Sequence, residues 1–351
     1  KIDGQIVGDD NALTEYGMTD AFEGVGPGWA WDDLALSFAT SSGALQHREN
    51  VATVVIDPGP RIGSRARAHL DSSSGLELVN HVLTSNEDSE FTIAIRRLPG
   101  QSTLVINGSI PASSSAVSRL VSVNNPTIFF VRALRQALIN NGISVTGSAV
   151  DIDDIPPQTL LASQHTPRVL AVHRSQPLSK IAIDMMKRSQ NLYAESIFRT
   201  LSLKTSEKPA VDSLAIITNL LKSWGLENDQ FRIADGSGLS PYTVLTAEVL
   251  VTVLDRMRSN PIDRTNFERT LPLAGRDGTL TTRMRGTSAE GNARAKTGTK
   301  THTRALAGYV WTQDGEQLAF AILANNFQVA AKEIIEVIDA AVSRLAEFRR
   351  R

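Results

Sequence analysis

The chain has no cysteine, which removes disulfide frameworks, thiolate metal sites and cysteine nucleophiles together. It has no excess of charge either. Lys plus Arg number 36 against 37 Asp plus Glu, a formal net charge of -1, so the electrostatic footprint of a nucleic-acid or anionic-membrane binder is missing. No apolar run approaches the roughly 20 residues that cross a bilayer. The start carries neither an initiator Met nor the basic, apolar, small-residue pattern of a signal peptide; Lys1-Ile-Asp-Gly-Gln-Ile-Val7 reads as the middle of a turn and strand. Upstream sequence is therefore expected. No low-complexity block or internal repeat appears, and the six histidines (47, 69, 81, 165, 173 and 302) show no HExxH or paired-ligand spacing, so neither a metal nor another cofactor is expected.

What is present is ordinary globular material, 41% hydrophobic and 21% charged, in a chain of 351 residues that exceeds the roughly 250 to 300 at which single cores stop growing. From Gln5 to about Val150 short β-rich runs such as Val51–Ile56, Phe91–Ile95 and Thr103–Ile106 alternate with Gly, Pro, Ser and Asn. One helix, started by Asn125-Pro126 and stopped by Asn141-Gly142, interrupts them. Asp151 to Gln158, acidic with two prolines, reads as a linker. Beyond it helices are expected over Pro177–Leu203, Asp212–Trp224 and Thr246–Arg258. Strands follow over Asn292–Thr297, Arg304–Thr312 and Gln317–Asn325, and a closing helix over Ala330–Phe348. Helices, an antiparallel meander and a last helix make an α+β layer architecture.

Two tripeptides carry chemistry. Lys296-Thr297-Gly298 ends a predicted strand, and Ser189-Gln190-Asn191 falls inside a predicted helix. Each alone has a bland reading, a strand end with a solvated lysine and a helical Ser/Asn pair bonded to its own backbone. Together and in this order they supply two of the three elements of penicillin-binding proteins and β-lactamases. Gly26-Pro-Gly-Trp-Ala-Trp31 reads as a glycine-rich turn with buried tryptophans in preference to an aromatic sugar platform. Asp235-Gly-Ser-Gly is no nucleophile elbow, because Asp235 and Leu239 stand where Gly-x-Ser-x-Gly needs glycines.

The blocks Gly26–Asp33, His173–Leu178, Ser189–Glu195, Asp235–Ser240, Leu271–Leu280, Ala295–Thr299 and Leu306–Val310 resemble, in order, those of the D-alanyl-D-alanine carboxypeptidase/endopeptidases, the class C low-molecular-mass penicillin-binding proteins. The resemblance implies a transpeptidase-like α+β fold, an antiparallel sheet flanked by helices. A large β-rich insertion would occupy 1–155, and 156–351 would form the C-terminal part of the catalytic domain. It implies an exported serine enzyme of the cell envelope that forms an acyl-enzyme on peptidoglycan peptides ending in D-Ala-D-Ala and is inhibited by β-lactams. Ser189 would relay protons, Asn191 would donate to the substrate backbone, and Lys296 would supply positive charge. Thr297 would bind the terminal carboxylate, Gly298 would leave room for the peptide, and the Thr299 N–H would serve the oxyanion hole.

Two features depart from the family. No lysine has a serine three positions earlier, so the nucleophilic Ser-x-x-Lys is absent and is expected upstream. Pro241-Tyr242 stands where many relatives place an arginine, while Asp9, or its neighbour Asp10, falls where they offer an acid to a side-chain amine; a plain acidic turn is the competing reading of that pair. Other readings of the whole chain are a catalytically dead binding module and a β-lactamase or esterase on the same fold.

Overall fold

A computed structural model of the chain describes residues 1–13, 25–162, 168–203 and 212–350. His165 lies outside them. The chain divides into two compact units, one of residues 1–171 with 195–213, the other of 172–194 with 214–351.

The first unit is mostly sheet. Its strands are β1 (Ile6–Gly8), β2 (Val51–Asp57), β3 (Arg67–Leu70), β4 (Glu77–Asn80), β5 (Leu83–Ser85), β6 (Ala94–Arg97), β7 (Thr103–Asn107), β8 (Ser109–Pro111) and β9 (Val117–Ser122). They pair as β3-β2-β9, β4-β7-β6 and β5-β8. The period-2 pattern of β2 buries Ala52, Val54 and Ile56, which meet Leu104, Ile106, Val121 and Phe129 in one core. Helix α1 (Pro126–Asn140) begins as its sequence dictates: Asn125 accepts the Ile128 N–H at 2.7 Å and Pro126 occupies the first turn. Strand β10 (Ala149–Asp151) pairs in parallel with β1, and helix α2 (Pro157–Ala162) follows. The acidic stretch from Asp151 is therefore no bare linker: Asp151 is buried, paired with Gly8, and accepts from the Asn125 side chain at 2.7 Å. Trp29 is buried as expected, but Trp31 is 65% exposed, so the glycine-rich turn buries one tryptophan and not both.

A buried arginine organises this unit. Arg97 donates to Leu34 O at 2.7 Å, Ser122 Oγ at 2.8 Å and Asn124 Oδ1 at 2.7 Å, tying β6 to β9 and to the segment before β2. Burial lowers its guanidinium from the ordinary arginine value to about 10.

The second unit is built on three antiparallel strands, numbered β13 to β15 below. Ahead of them come α3 (Leu178–Arg188), the start of α4 (Asn191–Thr200), α5 (Ser213–Ser223), the β11–β12 pair (Phe231–Arg232 with Val244–Leu245), α6 (Ala247–Ser259) and α7 (Arg264–Thr270). Thr246 caps α6 by accepting from the Val249 N–H. Strands β13 (Arg294–Lys300), β14 (Thr303–Trp311) and β15 (Gln317–Asn325) form the sheet, and α8 (Ala331–Glu347) closes it. Alternation along β14 explains its two covers. Leu306 and Val310 meet Phe320 and the α8 residues Ile338, Val342 and Ala346 on one face. Ala307, Tyr309 and Trp311 meet Leu254, Phe267, Leu271 and Met186 on the other. A Cβ on Gly308 would stand 2.0 Å from the Arg294 carbonyl oxygen, so only glycine lets β13 lie this close.

Candidate active site

The predicted helix Pro177–Leu203 breaks at the Ser189-Gln190-Asn191 tripeptide. Ser189 takes φ 57 and ψ 50, the left-handed conformation, and caps α3 as the Gln190 N–H reaches back to Met185 O at 2.9 Å; Asn191 then starts α4. Ser189-Gln190-Asn191 is thus a corner between two helices and not the interior of one. Left-handed backbone costs a non-glycine residue roughly 1 kcal/mol or more, and it turns the serine side chain off the helix surface. Local propensity missed it because serine is rarely chosen as a left-handed cap.

The corner meets the Lys-Thr-Gly strand. Lys296 Nζ donates to Ser189 Oγ at 2.7 Å and to Thr297 O at 2.7 Å. Neither acceptor is a carboxylate, so the dominant influence on this amine is burial, which lowers it from the ordinary lysine value to about 8. Ser189 and Lys296 therefore form a hydrogen-bonded pair whose amine is brought closer to neutrality by burial.

Strand β13 pairs with β14 through Thr297↔Leu306, Gly298↔Ala305 and Thr299↔Arg304. On its other edge the Ala295 N–H donates to Pro272 O at 2.9 Å. Successive backbone groups alternate between edges, so the N–H groups of Thr297 and Thr299 point the same way as that of Ala295. Beyond Ala295 no strand pairs with that edge among the described residues. It offers backbone donors and acceptors to an extended peptide. Gly298 adds no side chain there, and Thr299 is exposed.

Sequence reasoning named Ser189, Lys296, Thr297, Gly298, Thr299 and Asn191, and all six belong to the second unit. Asp9 belongs to the first, where its carboxylate accepts the Asn11 N–H at 3.2 Å. Its neighbour Asp10 accepts from the Thr127 hydroxyl. Two residues of the site went unnamed. Thr279 Oγ1 accepts from Thr297 Oγ1 at 2.8 Å, and Asp277 forms an ion pair with Lys187, two residues before Ser189. Their signal lay in the matched block Leu271–Leu280, which supplied no role for them.

The block Asp235–Ser240 is a loop scaffold. Asp235 is buried and accepts from the N–H groups of Gly238 at 3.1 Å and Ser240 at 2.6 Å and from Thr243 Oγ1 at 2.8 Å. Lys300, at the end of β13, donates to Leu239 O and anchors this loop to the strand.

Comparison with known proteins adds an independent line. The family model described as the D-Ala-D-Ala carboxypeptidase 3 (S13) family matches residues 1–347. A D-alanyl-D-alanine carboxypeptidase of Actinomadura sp. (strain R39) is 34% identical over 91% of this chain and 60% of its own length. The D-alanyl-D-alanine carboxypeptidase DacB of Haemophilus influenzae is 24% identical over 95% of this chain and 67% of its own. The chain thus spans 60% to 67% of these curated relatives. The crystal structure of penicillin-binding protein 4 from Haemophilus influenzae superposes with a TM-score of 0.80 at 22% identity, covering 98% of this chain and 75% of that one. A second structure of that protein, complexed with a β-lactam, gives a TM-score of 0.71 at 21% identity over 88% of this chain and 72% of that one. The expected α+β fold of a penicillin-binding protein with an inserted region is the fold found.

Proposed function

The chain belongs to the D-Ala-D-Ala carboxypeptidase 3 (S13) family, and from that premise we propose that it is part of a serine-type D-alanyl-D-alanine carboxypeptidase acting on peptidoglycan stem peptides. The observation that carries the proposal is the 2.7 Å contact between Lys296 Nζ and Ser189 Oγ beside the free edge of β13. These 351 residues hold no Ser-x-x-Lys, so the proposal includes a nucleophilic serine and its lysine supplied from outside them. What this chain contributes is the other half of the site.

In the proposed reaction a serine oxygen adds to the penultimate D-alanine carbonyl as its proton passes to the lysine of the Ser-x-x-Lys element, and the Thr299 N–H steadies the developing oxyanion. Such a donor lowers the barrier by about 3 kcal/mol in other acyl-transfer enzymes. The C–N bond then breaks. The departing amine takes the Ser189 hydroxyl proton, and Ser189 recovers a proton from the Lys296 ammonium through the bond already in place. The Lys296 charge and the Thr297 hydroxyl receive the terminal carboxylate, with the Thr279 hydroxyl then donating to Thr297 in place of accepting from it, and Asn191 donates its side-chain amide to the peptide backbone. Water hydrolyses the ester, its oxygen joining the acyl group and one of its protons returning to the serine, and the proton held by the lysine of the Ser-x-x-Lys passes back to Lys296. A β-lactam presents a carboxylate and a strained amide to the same groups and stalls as the acyl-enzyme. A peptidoglycan substrate places the protein in the cell envelope.

The test is release of D-alanine from a short peptide ending in D-Ala-D-Ala by the gene product that carries these residues. Removing the Lys296 amine (Lys296→Met) is expected to lower kcat/KM by about 10²–10⁴, the usual range for a proton-transfer group. Unchanged turnover in that variant would overturn the assignment.

A further inference from the structure

The segment Leu271–Leu280 lies between α7 and β13 and touches both members of the Ser189–Lys296 pair at one remove. Toward α3, the Asp277 carboxylate pairs with Lys187, in the last turn before the Ser189 corner. The same carboxylate accepts the Leu273 N–H at 2.9 Å, so it is fixed to its own loop before it reaches the helix. Gly278 sits against that helix end: with φ 55, a Cβ on it would stand 2.8 Å from Lys187 O and 3.2 Å from Lys187 Cα. Toward β13, Thr279 Oγ1 accepts from Thr297 Oγ1 at 2.8 Å, one residue beyond Lys296. Behind it the Ala295 N–H donates to Pro272 O at 2.9 Å and the Ala274 N–H to Ala293 O at 2.9 Å, which lays the segment along the start of β13.

Three consecutive residues thus grip two elements. Asp277 and Gly278 hold the end of α3, and Thr279 holds the strand. We propose that Asp277 and Thr279 are positioning residues that clamp the Ser189 corner and the Lys296 strand to one support, fixing the separation across which their proton is passed. The proposal rests on the acyl-transfer reading for its purpose but on separate contacts for its content. A corner held only by its own left-handed serine has no reason to stay; backbone strain persists where surrounding contacts over-determine it. The ion pair is partly exposed and contributes little to global stability. Its effect is local, on the placement of one hydroxyl relative to one amine.

The readout is the Lys296 amine itself, followed by NMR of the whole chain carrying ¹³Cε-labelled lysine, with Lys296→Met identifying the resonance. In the unaltered protein burial lowers this amine from the ordinary lysine value to about 8. Thr279→Val removes one grip without altering charge. Lys187→Met combined with Asp277→Asn removes the other and leaves the net charge unchanged. Each is expected to admit water and move the Lys296 titration upward by roughly half a pH unit or more, as desolvation relaxes. Thr279→Ser, which keeps the hydroxyl, should restore it. Arg283→Gln breaks a bidentate pair with Asp339 on α8 and serves as the control: it should lower Tm and leave the Lys296 titration in place.

If both grip-removing changes leave Lys296 titrating as before, with or without a fall in Tm, the two residues do not position the pair and the proposal is overturned. Failure of the acyl-transfer reading shows elsewhere, as absence of penicillin acylation in the unaltered gene product, and leaves this outcome independent.

Discussion

An amine that gives up its proton at about 8 is still largely charged at pH 7, so Lys296 can both attract a carboxylate and donate through Ser189. Both roles end on deprotonation. The rate of acylation or peptide turnover is expected to fall as pH rises through about 8, with KM for carboxylate-ended peptides rising over the same range. The stability effect has the opposite sign. Lys296 in the unfolded chain keeps its proton to the ordinary value of 10.5, so between about 8 and 10 the unfolded state binds more protons and stability rises with pH. Above about 10 two groups oppose each other. Burial, reinforced by Glu268, raises the Tyr309 phenol to about 12, so the unfolded state loses that proton first, while burial lowers Arg97 to about 10, so the unfolded state keeps that proton longer; the two offset and the rise levels off. Urea midpoints at pH 7.5, 9 and 10.5, beside the pH–rate profile, check both limbs. A profile that stays flat through 8 would remove Lys296 from the proton path. At this scale the sequence named Ser189 and Lys296, which the structure brings within hydrogen-bond distance. It was silent about the left-handed Ser189, since no local rule places a serine there, and about Asp277, whose partner Lys187 is 90 residues away.

Elements were legible where burial is one-sided. The last two strands of the meander and α8 fall within a residue of the periodicity because β14 alternates between two apolar covers and α8 packs with a single stripe, while β13 runs three residues past its expected end. The readings that failed did so for identifiable reasons. The stretch after Asp151 looked like a linker because prolines and acids are usually solvated. Here the chain folds Asp151 beneath the cap of α1 and gives it an asparagine amide to accept from. Trp31, read as buried with Trp29, is exposed because a glycine-rich turn has no period by which to assign faces. The close approach of β13 to β14 depends on Gly308. Gly308→Ala would bring a methyl to 2.0 Å from Arg294 O and 2.6 Å from Ala295 Cα, both backbone atoms that cannot rotate away. Overpacking of this kind costs about 1–3 kcal/mol. Denaturant unfolding should show that loss, and because β13 carries Lys296, penicillin acylation should slow with it. A variant that folds with native stability would mean the strands separate without cost.

For the molecule as a whole, the two units divide the labour. The first has its own apolar core and a buried arginine holding its strands. The second contains all the proposed catalytic groups of this chain, and among the described residues no helix is long and apolar enough to cross a membrane. The family was readable from blocks scattered through both units, and three of those in the second unit hold defined contacts: Asp235 to its loop, Gly308 to β13, Asp277 to Lys187. The roles of those contacts were not readable, since they depend on partners far apart in sequence. The measurement that bears most directly on the central claim is intact mass spectrometry of the gene product after incubation with a fluorescent penicillin, beside the Lys296→Met and Ser189→Ala variants. The account predicts one penicilloyl adduct per molecule, formed about 10²–10⁴ times more slowly in either variant. No adduct on the unaltered protein, or equal rates in all three, would contradict it.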